Sequence, residues 1–177
     1  MLNYFLLYDL PQSFHPDPAK VKSKFYELSR RYHPDHFAGA DAATGGESLR
    51  MAAVNNDAYK TLNNSDATMA YILKLNELLE DEEKYNLPPA FLMEMMDLNE
   101  AVSEYEMDRD NQAVKTQALQ ALQKQLDAWI SGIEPLTHQY DNGVQTKEML
   151  LKIKDYYFRR KYLLRIQGRI NNFAPRH

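Results

Sequence analysis

Apolar residues recur at three- and four-residue spacing along nearly the whole chain, and no stretch alternates apolar and polar residues as a half-buried strand does. That periodicity limits the fold to packed helices, an all-α protein. Glycine is scarce, 6 in 177 residues, so the helices are punctuated by few and definite breaks. The pattern predicts a short first helix over about residues 3–9, stopped before Pro11. A second begins after Asp17, an N-cap ahead of Pro18, and ends at His33, because a residue preceding proline is pushed out of the helical region. Its inner line is Val21, Phe25, Leu28 and Tyr32. A glycine-bearing loop over 34–46 follows, then a third helix over 47–62 with Leu49, Ala52, Ala53, Tyr59 and Leu62 facing inward.

A fourth helix, about 67–79, is apolar on more than one side through Met69, Tyr71, Ile72, Leu73, Leu75 and Leu78. A helix of that kind is sandwiched, which makes it the expected joint between two domains. The acidic, turn-rich stretch after it reads as a linker. Pro88 and Pro89 then open a second domain of three longer helices over about 89–107, 111–133 and 146–171. Short connections make these antiparallel neighbours in a bundle. The expected organisation is therefore a helical-hairpin domain over 1–64, a joint helix and linker over 65–87, and a three-helix bundle over 88–177.

Composition removes several function classes. A formal charge of −4 argues against a nucleic-acid-binding surface, which is basic. With no cysteine, the chain itself forms no disulfide, zinc finger or thiolate-held iron–sulfur cluster. Its apolar runs are far short of the roughly 20 residues of a spanning helix, and the start of the chain lacks a secretory signal, so a cytoplasmic protein is expected. No paired acid and base, phosphate loop or activated nucleophile suggests an enzyme, and no cofactor is expected.

The second helix ends in RRYHPDHF. Pro34 fixes its backbone and ends the helix, Asp35 is a short anionic acceptor, and His33 sits at the helix C-terminus able to donate. Lys22, Lys24, Arg30 and Arg31 place positive charge on the helix leading to the turn. A His-Pro-Asp turn between antiparallel helices, preceded by a basic helix, resembles the J-domain family. The resemblance implies that this basic face and tripeptide dock on a DnaK-type chaperone and trigger its ATP hydrolysis. The chain would then act by shifting its partner's conformational equilibrium, without catalytic chemistry of its own. The same tripeptide also occurs at His15, Pro16 and Asp17, before the basic helix, where Asp17 and Pro18 have an ordinary helix-starting role. A metal site built on His33, Asp35 and His36 is disfavoured, because Pro34 makes the side chains diverge and no second cluster completes a ligand shell.

On the helix AFLMEMMDLNEAVSEYE, at about 100° per residue, Phe91, Met95, Leu98, Val102 and Tyr105 form one stripe and suffice for a bundle core. Leu92, Met93 and Met96 lie off that stripe and share their side with Asp97, Glu100 and Glu104. Large apolar groups rimmed by acids on an outward face suit a protein-binding site, and methionine adapts to a partner. In the last helix, Met149, Ile153, Tyr156, Tyr157, Leu163, Leu164 and Ile170 form the expected inner face. Phe158, Tyr162 and Ile166 fall roughly opposite, where they would border the same groove. Periodicity alone leaves open whether these sets meet a client, the N-terminal domain or a second copy.

The motifs YF, RRYHPDHF, VNNDAYKTL, AYIL and AFLMEMMDLNE, in this order and spacing, resemble the HscB family over nearly the whole chain. This resemblance implies a co-chaperone of iron–sulfur cluster assembly. Its J-domain would activate a DnaK- or HscA-type chaperone, and its bundle would deliver an IscU-type scaffold protein. Matched position by position, it implies scaffold binding by Leu92, Met93, Met96, Asp97, Glu100 and Glu104, with Phe158 contributing an aromatic ring. Met96 and Asp97 stand where the family usually has Leu and Glu. A J-domain adaptor for a different client is the alternative.

Overall fold

The structure, a computed structural model, describes residues 2–171 and contains no strand among them. Eight helices follow in order: α1 Tyr4–Leu7, α2 Pro18–Arg31, α3 Ala42–Leu62, α4 Ser65–Leu75, α5 Pro89–Glu94, α6 Met96–Met107, α7 Gln112–Asp141 and α8 Lys147–Asn171. A short 3-10 turn, Pro34–Phe37, lies between α2 and α3. The chain divides into two compact units. One runs through Glu80 and also takes in Tyr140–Val144; the other comprises Asp81–Gln139 and the residues from Gln145 onward.

In the first unit α2 and α3 form a hairpin whose core includes Val21, Leu28, Ala58 and Leu62. The Phe25 and Tyr59 rings stack at 4.2 Å. Asn55 is buried between these helices, yet every polar atom of its amide is used. Its Oδ1 accepts from the Tyr8 hydroxyl at 2.7 Å, and its Nδ2 donates to the Phe25 carbonyl and the Ser29 hydroxyl at 3.0 and 3.1 Å. A buried polar group so satisfied fixes α1, α2 and α3 in one register.

Two expectations about this unit change. Helix α3 begins at Ala42, five residues before the expected Glu47, because the Asp41 carboxylate caps it by accepting from the Thr44 amide at 2.7 Å. Gly45 and Gly46 therefore lie inside the helix, where each weakens it by about 1 kcal/mol relative to alanine. Leu49 and Ala53, expected to face inward, are exposed. Helix α4, expected as a joint, belongs to this compact unit. It lies along α3, where the Thr68 hydroxyl donates to the Thr61 carbonyl at 2.9 Å, and Tyr71 stacks on Tyr4 of α1 at 4.6 Å. Two neighbours on two sides account for its all-round apolarity. It stops at Leu75 instead of 79, with Glu77 at φ 57° and the Leu78 amide bonded to the Leu73 carbonyl.

In the second unit Phe91, Met95, Leu98, Val102 and Tyr105 are all buried, with Ala118 and Leu122 of α7 and Leu163, Ile166 and Ile170 of α8. Helices α5 and α6 meet at Met95, whose amide is shared between the Phe91 and Leu92 carbonyls. Asn111 caps α7 through the Ala113 and Val114 amides, and Thr146 caps α8 through the Met149 amide. Gly132 permits the α7–α8 approach, since a Cβ there would overlap the Tyr156 ring.

Three features here differ from the sequence reading. The acidic stretch over 83–88 is packed on α8: Glu83 pairs with Lys154 at 2.8 Å, the Tyr85 hydroxyl donates to Asp155 at 2.8 Å, and Tyr85 stacks on Phe158 at 4.4 Å. Helix α7 continues past Pro135 to Asp141 rather than ending at Ile133. An internal proline costs a helix about 3 kcal/mol, but the turn beyond it is anchored by Tyr140, which is buried and accepts from Gln12 at 2.7 Å. On α8, finally, Leu164 is exposed, whereas Phe158 and Ile166 are buried.

Candidate functional site

The two His-Pro-Asp copies stand in different surroundings. At the first, Asp17 caps α2 through the Ala19 and Lys20 amides, and Pro18 opens the helix. His15 Nδ1 lies 2.6 Å from an Asp141 carboxylate that also accepts from the Ser13 hydroxyl and the Phe14 amide. His15 and Asp17 of this copy are thus both engaged in hydrogen bonds within the first unit. At the second, the tripeptide forms the exposed corner after α2. His33 Nδ1 accepts from the Asp35 amide at 3.2 Å, which caps the 3-10 turn and leaves Nε2 as the nitrogen that carries the proton outward. The Asp35 carboxylate is 87% exposed. A rigid turn thus presents an N–H donor and a carboxylate acceptor side by side.

The four cations expected on α2 separate into two kinds. Lys24 bonds Asp9 at 2.7 Å and sits 3.4 Å from Glu27, while Arg31 lies 3.7 Å from the same Glu27. The Asp9 hydrogen bond, against a smaller opposing desolvation, holds the Lys24 ammonium above its ordinary range. Lys22 and Arg30 are exposed, eight residues apart, and have no ion-pair partner among the described residues. Between them, one turn from each, is Tyr26, 49% exposed, a residue to which the sequence reading gave no role. The open part of the basic face is therefore Lys22, Tyr26 and Arg30.

On the second unit Leu92, Met93 and Met96 are 43%, 70% and 64% exposed, although they alternate with the buried Phe91, Met95 and Leu98. The bend at Met95 keeps the three together on one face. Asp97, Glu100 and Glu104 are exposed beside them and take part in no ion pair among the described residues. An apolar cluster bordered by unneutralised carboxylates is what an apolar segment with basic flanks would meet. Met107 is 89% exposed and lies within about 20° of Met96 around the helix. It extends this face by one more turn. Its position eleven residues after Met96 is the sequence signal for it.

Phe158, by contrast, is buried. Only 8% exposed, it lies between the rings of Tyr85 and Tyr157, with Lys161 over its edge. Tyr162 and Ile166, expected beside it, also turn inward: the Tyr162 ring meets Phe91 edge-on and its hydroxyl accepts from Asn99 at 2.7 Å. None of the three is exposed as Leu92, Met93 and Met96 are. Among the described residues no group of acidic, histidine or cysteine side chains is placed to hold a metal, and no helix is long and apolar enough to cross a membrane.

Comparison with known proteins covers both units. The sequence model of the HSCB C-terminal oligomerisation domain matches residues 87–171. The co-chaperone protein HscB homolog of Photobacterium profundum is 30% identical over 154 residues, 86% of this chain and 90% of that one. The human iron-sulfur cluster co-chaperone protein HscB is 29% identical over 153 residues, 86% of this chain and 63% of its own length. Among solved structures, human co-chaperone protein HscB matches with a TM-score of 0.75 at 26% identity, over 97% of this chain and 82% of that one. The chaperone HscB from Vibrio cholerae matches with a TM-score of 0.74 at 26% identity, over 96% of each chain.

Proposed function

The chain belongs to the HscB family of co-chaperones, and from that premise we propose that it delivers an IscU-type iron–sulfur scaffold protein to a DnaK- or HscA-type chaperone and stimulates that chaperone's ATPase. His33, Pro34 and Asp35 are the trigger. Lys22, Arg30 and Tyr26 make the first electrostatic and aromatic contact, with Lys24 and Arg31 contributing field from within their ion pairs. The turn's outward N–H and carboxylate recognise the chaperone only when it holds the arrangement that hydrolyses ATP, and so favour that arrangement. ATP is consumed on the partner, in the cytoplasm, and this chain performs no reaction itself.

The scaffold is bound by Leu92, Met93 and Met96, with Asp97, Glu100 and Glu104 steering basic groups to the rim and Met107 prolonging the face. The observation that carries this assignment is the exposure of three large apolar side chains on a helix whose other apolar stripe already fills the core. Truncating such anchors weakens binding by about tenfold to a hundredfold. Titration of the Leu92→Ala/Met96→Ala variant with purified scaffold should show that loss at an unchanged melting temperature. Wild-type affinity in the variant would remove the assignment. The description of the matching C-terminal domain as an oligomerisation domain supports a second reading, in which this face joins two copies. Sedimentation of wild type and variant without scaffold separates the two, since only self-association loses a dimer on substitution.

A further inference from the structure

The chain has eight methionines and no cysteine, so its thioethers are its sulfur chemistry. Beyond Met1, the four outside the proposed scaffold face are protected or partly so: Met69, Met95 and Met149 are 6%, 1% and 6% exposed, and Met51 is half-buried. Among the described residues the three that are exposed, Met93, Met96 and Met107, all lie along one face of α5 and α6. An oxidant in solution therefore reaches methionine first, and most readily, on this face. Two of the three are among the large apolar groups that would have to be desolvated against a partner.

We propose that Met93 and Met96 form a reversible oxidation site that releases the scaffold when peroxide rises; this rests on the reading of their face as the scaffold site. A sulfur lone pair attacks one oxygen of hydrogen peroxide and the O–O bond breaks. The hydroxide leaving group takes up the proton, so thioether plus peroxide yields sulfoxide plus water, the sulfur oxidised and the peroxide reduced by two electrons. A methionine sulfoxide reductase reverses the change at the expense of a dithiol, which becomes a disulfide. The S=O group is a strong acceptor set into an apolar cluster. The side chains beside it on this face, Leu92, Asp97 and Glu100, carry no N–H group. On binding it must shed water within an apolar cluster whose own side chains offer no donor, which weakens association by about tenfold or more. The core is untouched, because its own methionines are shielded.

The test compares scaffold affinity before and after hydrogen peroxide treatment, with peptide mass spectrometry to locate the added oxygen and the melting curve to monitor the fold. Wild type should gain oxygen at Met93 and Met96, keep its melting temperature, lose scaffold affinity by at least about tenfold, and regain it with the reductase. The Met93→Leu/Met96→Leu/Met107→Leu variant, which has no exposed thioether left on this face, should keep its affinity, whatever its starting value, through the same treatment. Oxidised wild type that carries both oxygens and binds as before overturns the proposal, as does a Leu variant that loses affinity equally. Unoxidised Leu92→Ala/Met96→Ala, run in parallel, tells the two failures apart. If it binds normally, the face is not the scaffold site and both ideas fall; if it binds poorly while oxidised wild type binds well, only the switch is lost.

Discussion

At His33 the two ring nitrogens have different tasks: Nδ1 is spent on the Asp35 amide, which leaves Nε2 to face outward. This division comes from the proline between them, which forces the turn that brings the Asp35 amide back to the ring. The difference between the two tripeptides was legible in the sequence because only the second follows a basic helix. Phe158 was not. Its place on α8 follows from Tyr85, seventy-three positions earlier, and no helical period reports a contact that distant. As a buried aromatic, Phe158→Ala should lower unfolding stability by about 3–5 kcal/mol in chemical denaturation, whereas Leu92→Ala should stay within about 0.5 kcal/mol of wild type. Tyr85 itself adds a pH dependence. Burial, then its hydrogen bond to Asp155, with further push from the Asp155 and Glu83 charges against the pull of Arg159, raises its hydroxyl from 10.0 to about 12. The folded state thus prefers the neutral phenol. This contribution is complete below pH 10 and is lost as pH rises from about 10 to about 12. Tyr4, Tyr8, Tyr71 and Tyr140 are shifted the same way. Melting temperature should fall steeply over that range, and the fall should be shallower in Tyr85→Phe.

Elements obey propensity only where tertiary contacts are silent. The apolar stripe of α5 and α6 was legible because a helix with one wet face shows its period plainly. Helix α8 hid its inner side, since it packs on α6 through one side and on the 83–88 segment through another, and so carries apolar residues nearly all round. The breaks in α3 and α7 were misplaced for a related reason. Two glycines and a proline weaken a helix by amounts that one good cap, or a buried tyrosine in the next turn, offsets. On α2 the proposed docking face divides into an open pair, Lys22 and Arg30, and the ion-paired Lys24 and Arg31. Reversing both, Lys22→Glu/Arg30→Glu, should slow chaperone coupling several-fold at low salt, and raised ionic strength should shrink the difference from wild type. Reversing Lys24 and Arg31, which already answer to Asp9 and Glu27, should have the smaller effect. Equal effects from the two pairs would show that the ion pairs do not restrain the face.

For the molecule as a whole, the account assigns two separable tasks to two compact units: a trigger on the first and a carrier face on the second. In the proposed function their coupling runs through the chaperone, which would meet the trigger and receive the scaffold together. The most direct measurement of this claim is the steady-state ATPase rate of a DnaK- or HscA-type chaperone, with and without scaffold, in the presence of wild type, His33→Gln, His15→Gln and Leu92→Ala/Met96→Ala. Wild type and His15→Gln should stimulate the basal rate and stimulate it further with scaffold. His33→Gln should do neither while still binding scaffold. The face variant should keep the basal stimulation and lose only the increment that scaffold brings. Full scaffold-dependent stimulation by the face variant, or stimulation by His33→Gln equal to wild type, would contradict the account.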